Sequence, residues 1–175
     1  NSQVHFEGRI IFDRFLKTLT EQPLGVMGAV IDTRLLTLTE FKEALAFSQS
    51  RDAKLEIIDV EAPIWCSILS VLNRKSDGID PCVPFEVIKD GYQSARANRG
   101  EFIHASTCEK VNYSLYQLAP NGEYIPIVRK GEDDDRPLVF SSSIFEECLR
   151  VPSEEEMDHI ANTRITEELI QSLEM

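Results

Sequence analysis

Two short apolar segments, each with an acid at or near its end and separated by an amphipathic stretch, constrain this chain more than any other feature. Val26–Asp32 reads VMGAVID, an unbroken apolar run closed by a carboxylate, and Lys54–Val60 reads KLEIIDV. Between them Phe41, Ala44, Leu45 and Ser48 recur at helical spacing, which predicts a helix over 38–50. Thr37 and Glu40 form a capping box at its start, and Arg51-Asp52 breaks it. An unbroken apolar run is what a strand buried on both faces requires. Two strands joined by one crossover helix run parallel, with a right-handed connection. The expectation is an α/β fold with a parallel sheet, and ligands at the carboxyl ends of its strands.

The remaining elements fit the same class. Phe12, Phe15, Leu16 and Leu19 predict an opening helix over 6–20, stopped by Pro23 and Gly25. Pro63 suits the first turn of a helix whose stripe is Ile64, Trp65, Ile68, Leu69 and Leu72. Residues 75–84 (KSDGIDPCVP) read as a loop. The next helix is predicted from Pro84 to about Asn98, with Phe85, Ile88, Tyr92 and Ala95 on one side and Gly100 as its stop. Val111–Leu118 and Glu123–Val128 flank Pro120-Asn121-Gly122 and predict a β-hairpin, with Pro126 placing the second strand at a sheet edge. Capping-box pairs Ser143/Glu146 and Ser153/Glu156 predict helices near 144–150 and 154–162, with a third over 167–173.

Charge divides the chain. Residues 1–131 carry 17 acids against 15 bases, whereas residues 132–175 carry 13 against 3. With the solvated GEDDDRP segment at 131–137, this predicts an α/β body over 1–131 and a small acidic helical extension over 132–175. No positive excess exists to displace counterions from a duplex, so nucleic-acid binding is not expected. No stretch approaches 18 uninterrupted apolar residues, so no membrane-spanning helix is expected. The chain opens on Asn1 rather than Met, which reads as part of something longer.

Cys66, Cys82, Cys108 and Cys148 are widely spaced, with no CxxC pair, and His5, His104 and His159 are isolated in sequence. This pattern does not point to zinc, and it reads as buried free thiols in a reducing, cytoplasmic compartment.

Asp32 closes an apolar strand, where a carboxylate can hold Mg2+ through water or orient a nucleophile. Asp59 occupies the corresponding place on the second strand. Arg74 and Lys75 end one helix, and Lys89, Arg96 and Arg99 line one side of the next. Guanidinium groups suit phosphate oxygens because the fork donates parallel hydrogen bonds. The alternative for each is a solvated face or a capping carboxylate. The sequence has no GxxxxGK[ST], GxGxxG or G-x-S-x-G.

The order Val30-Ile31-Asp32-Thr33, helix, KLEIIDVEAP, helix ending Asn73-Arg74, Val83-Pro84, helix with Ile88, Tyr92 and Asn98, then the Tyr113–Tyr116 hairpin resembles the second half of zeta-toxin-like P-loop kinases. The resemblance spans roughly 100 residues. It implies that Asp32 is the acid after the Walker B-type strand, a metal and catalytic residue. It implies that Arg74 opens the lid and acts in catalysis, and that Lys89, Arg96 and Arg99 bind nucleotide phosphates. The implied cofactors are ATP and Mg2+, and the implied reaction transfers phosphate to a small-molecule acceptor such as a nucleotide sugar. The Walker A loop of these kinases has no counterpart here. A non-catalytic pseudokinase-like module, its acidic tail engaging a basic protein, is the competing expectation. Glu154-Glu155-Glu156 near the C-terminus also resembles type IV secretion effector signals, which would send the protein into a host cell.

Overall fold

The computed structural model describes residues 38–76, 83–109, 111–119, 121–131 and 133–173, with isolated positions before residue 38. Most of the predicted helix over 6–20 and of the VMGAVID strand, Asp32 included, lies outside the described residues, as does most of the 75–84 loop. Two compact units are present, Asn1–Leu55 and Glu56–Met175. The division therefore falls ahead of the KLEIIDV acids, and the acidic extension lies in one unit with the hairpin.

In the first unit, α1 spans Leu38–Ser50, the limits its periodicity predicts. It ends because Asp52 takes a positive φ of 50°, letting the Ala53 N–H turn back to the Ser48 carbonyl.

The second unit is built on a four-stranded sheet in the order β1-β2-β3-β4. Its strands are β1 (Glu56–Glu61), β2 (Asn112–Leu118), β3 (Tyr124–Lys130) and β4 (Leu138–Val139). β1 and β2 pair in parallel, and the other two pairs are antiparallel. The sheet is therefore mixed, with its parallel part where two helices carry the chain from β1 back to β2. These are α2 (Ile64–Ser76) and α3 (Phe85–Cys108). After the sheet come α4 (Ser142–Leu149) and α5 (Glu154–Leu173).

The hairpin turns at Gly122, whose φ of 84° is open to glycine without a steric penalty. Pro126 pairs with Tyr116 beside a register shift, and β4 pairs only with Val128 and Arg129. The residue that lacks an N–H thus sits past the end of β4, on a locally free edge.

Three helical expectations change. α3 continues through Gly100 to Cys108, because no backbone turn forces a stop and Phe102, Ile103 and Ser106 are buried beyond it. That burial offsets the roughly 1 kcal/mol that a mid-helix glycine costs. The two predicted tail helices are one, α5, opened by the Glu156 N–H on Ser153 Oγ at 3.2 Å. α4 starts after Ser141 rather than Ser143, and no side chain caps it.

One core cluster joins Ile64 and Ile68 of α2 to Met157 and Ala161 of α5, with Phe85, Ile88 and Tyr92 of α3 against it. Met157 is fully buried, so the acidic extension supplies part of the hydrophobic core. Tyr113, Leu115, Ile127 and Val128 are buried from the sheet. Ile58 and Val60, on alternate positions of β1, are exposed.

Candidate functional site

Strand alternation places Ile57, Asp59 and Glu61 on one face of β1, with the last two at its carboxyl end. α3 answers with Lys89, Tyr92, Arg96 and Arg99, spaced by three and four residues, hence on one stripe. The stripe faces inward. Lys89, Arg96 and Arg99, expected from the resemblance to bind nucleotide phosphates, are all buried, and the alternative of a solvated basic face does not hold. Cations on a helix read as solvent-facing only while their partners are unknown, and here the partners come from other elements.

Glu61 Oε1 accepts from Arg96 Nη2 at 2.6 Å and Nε at 3.0 Å, and from the Tyr92 hydroxyl at 2.8 Å. Its Oε2 lies 2.7 Å from Arg99 Nη1. Asp59 receives Arg99 through a two-pronged pair, Nε to Oδ2 at 2.8 Å and Nη2 to Oδ1 at 3.1 Å. The Tyr113 hydroxyl donates to Asp59 Oδ2 at 2.6 Å. The remaining donors tie α4 down. Arg96 Nη1 reaches the carbonyls of Glu147 and Arg150, and Arg99 Nη1 reaches that of Cys148. Lys89 pairs with Glu86 at 2.9 Å and with Asp158 of α5 at 3.1 Å.

Burial works against the charge of Arg96 and Arg99, and the carboxylates outweigh it, so both guanidinium groups are held more firmly protonated than when free. Burial, with Asp59 adjacent, pushes the Tyr113 hydroxyl well above the ordinary phenol range. Burial pushes the Cys148 thiol up to about 11, Glu61 adding to the effect. Among the described residues no buried side-chain nitrogen or oxygen lacks a hydrogen-bond partner. Two carboxylates and two guanidinium groups thus form a neutral, saturated cluster that locks the end of β1 to α3 and α4.

Lys130 shows the same economy elsewhere. Its ammonium is buried and donates to the carbonyls of Ser106 and Val111, at 3.0 and 3.2 Å. It thereby satisfies one acceptor in the last turn of α3, where cations are favoured, and one just past the helix.

Asp32 lies outside the described residues, and Arg74 lies in the last turns of α2, its side chain outside what is described. Asp59, read from the sequence as a strand-end acid, and Glu61, which that reading leaves out, are central to the cluster. The discoverable signal was the i,i+2 acid pair on one strand face, set against arginines on one helical stripe. Among the described residues, no group of three or more His, Cys, Asp or Glu side chains is placed to hold a metal. No described helix is long and apolar enough to cross a membrane.

This is an α/β, kinase-like fold. The particular likeness is to AvrRxo1-ORF1:AvrRxo1-ORF2. The structure of that complex with ATP matches at TM-score 0.75 and 27% identity, over 87% of this chain and 47% of that one. The native complex matches at TM-score 0.72 and 27% identity, over 85% and 46%. The complex with sulphate ions matches at TM-score 0.72 and 26% identity, over 92% and 53%. The likeness supports a zeta-toxin-like fold, and the chain spans about half the length of the chains it matches. No protein-family profile and no curated protein matches it.

Proposed function

We propose that this chain forms the acid- and arginine-bearing part of an ATP-dependent phosphotransferase acting on a small molecule, a nucleotide sugar being the type the resemblance implies. The observation that carries the reading is the likeness, over most of the chain, to a protein solved with ATP. Phosphoryl transfer asks a protein mainly for positioning and charge stabilisation. Under this reading Asp32 holds Mg2+ through water, and Arg74 at the end of α2 neutralises the moving phosphoryl group. Lys89, Arg96 and Arg99 act at one remove. Their charges are matched by Asp158, Glu61 and Asp59, and they set the frame on which the nucleotide site stands.

Calorimetric titration with magnesium-ATP, on this chain and on the complete gene product containing it, tests the reading. Saturable heat is expected, weakened on the order of tenfold by Arg74→Ala, the loss of one charge-assisted hydrogen bond. Asp32→Asn should remove the dependence on Mg2+. No saturable heat from either protein would contradict the proposal.

A second reading, a non-catalytic module engaging a basic protein, is favoured by one fact: each matched structure is a two-protein complex. Glu154 and Glu155 are exposed at the start of α5, where they can steer a basic partner. The same acidic run would carry the type IV-like export of the second reading. Deleting 132–175 is a poor test, because Met157 and Ala161 belong to the core. The double change Glu154→Lys/Glu155→Lys should slow association and flatten its salt dependence; an unchanged rate contradicts this reading.

A further inference from the structure

The continuation of α3 past Gly100 brings together two side chains that the sequence shows only as isolated residues. His104 and Cys108 stand four apart on the last turns of α3, so they stack on one side of the helix. Both are exposed, and Cys108 Sγ lies 3.7 Å from His104 Nε2. We propose that this pair is a two-ligand site for a thiophilic divalent cation of the Zn2+ class.

The separation, that of a thiol–imidazole hydrogen bond, is also compatible with a chelate. Zinc binds thiolate at about 2.3 Å and imidazole nitrogen at about 2.0 Å, and a tetrahedral angle between them separates sulfur from nitrogen by about 3.6 Å. The observed separation needs only a small adjustment of two exposed side chains. The ion takes Cys108 as thiolate and His104 as neutral imidazole, so the thiol proton passes to solvent on binding and nothing is oxidised or reduced. Affinity therefore falls as the pH is lowered. Water fills the remaining positions, which makes the ion accessible and exchangeable rather than sealed into the fold.

The place suits a cation. The last turn of α3 carries the negative end of the helix dipole and contains no basic residue of its own. Lys130 serves the buried side of this terminus, through the carbonyls of Ser106 and Val111. The chelate would serve the exposed side.

The test is titration of the reduced chain with Co2+, following the near-ultraviolet thiolate-to-cobalt band, and then displacement by Zn2+. The band should saturate stoichiometrically in the unaltered chain, vanish in Cys108→Ser, and require at least about tenfold more Co2+ in His104→Ala, where chelation is lost. Both side chains are exposed, so neither variant should change the far-ultraviolet circular dichroism. Cys66, Cys82 and Cys148 remain in both variants and control for other thiols. No band in the unaltered chain, a band surviving Cys108→Ser, or a titration indifferent to His104→Ala would each overturn the proposal.

Discussion

Two arginines in this molecule make the same contact in different surroundings. Arg96 Nη2 meets Glu61 at 2.6 Å, and Arg150 Nη2 meets Glu156 at 2.6 Å. The first pair has side chains 7% and 5% exposed, the second 46% and 37%. Arg150 also pairs with Glu147 at 3.0 Å, so each arginine has more than one acceptor. By distance alone the two sites would rank equal. Water separates them. An exposed pair is screened and must hold two mobile side chains in register, so it contributes roughly 0–1 kcal/mol. In a buried cluster, removing one member strands the others, at a cost of roughly 3–5 kcal/mol. The chain joins the two sites directly, since Arg96 donates to the Arg150 carbonyl.

Glu61→Ala should have the largest effect. It removes the acceptor shared by Arg96, Arg99 and Tyr92, and unfolding in urea should show a loss of about 3–5 kcal/mol. A loss under 1 kcal/mol would break the comparison. Lys130→Met should follow, at about 1–3 kcal/mol, because the Val111 carbonyl loses this donor and the Ser106 carbonyl keeps only the Val111 N–H. Arg150→Ala comes last, at under about 1 kcal/mol, since its carbonyl, the part Arg96 uses, survives the change. High salt should erase this smallest effect and leave the first intact.

The pH dependence sharpens the same contrast. Hydrogen bonds from Arg150 hold the carboxyl groups of Glu147 and Glu156 below the usual carboxylate range. A lowered folded-state value means their contribution is present above about pH 4.3 and is lost as pH falls through the lower values. Acid unfolding of Arg150→Ala should therefore begin at slightly higher pH than in the unaltered chain. Cys148 has the opposite sign. Its raised value keeps it a neutral thiol, so its contribution is lost only as pH rises toward about 11. Iodoacetamide near neutral pH should modify Cys108 in the folded protein and reach Cys148 only after unfolding, with the modified residues read by mass spectrometry.

Local chemistry was legible in the sequence where it decides structure locally. The limits of α1, the turn at Gly122 and the strands of the hairpin follow from periodicity, breakers and turn residues over a few positions. The end of α3 was not legible, because Gly100 stops a helix only when nothing beyond it must be buried. The expectation of buried free thiols holds at Cys148 and fails at Cys108, which is exposed because the continuing helix turns it outward. The basic stripe is readable from spacing, and its partners are not. Arg96 and Arg99 take their acids from residues 35 and 40 positions away, a distance no local pattern spans. The order of elements from α1 to the hairpin was readable, whereas the role of α5 in the core was hidden by its acidic composition.

Double-mutant cycles in urea test the central claim most directly, one pairing Glu61→Gln with Arg96→Met and the other pairing Glu156→Gln with Arg150→Met. The buried pair should show a coupling of about 2 kcal/mol or more, and the exposed pair under about 1 kcal/mol. Equal couplings at the two sites would contradict the claim that the cluster at the end of β1 is a structural lock.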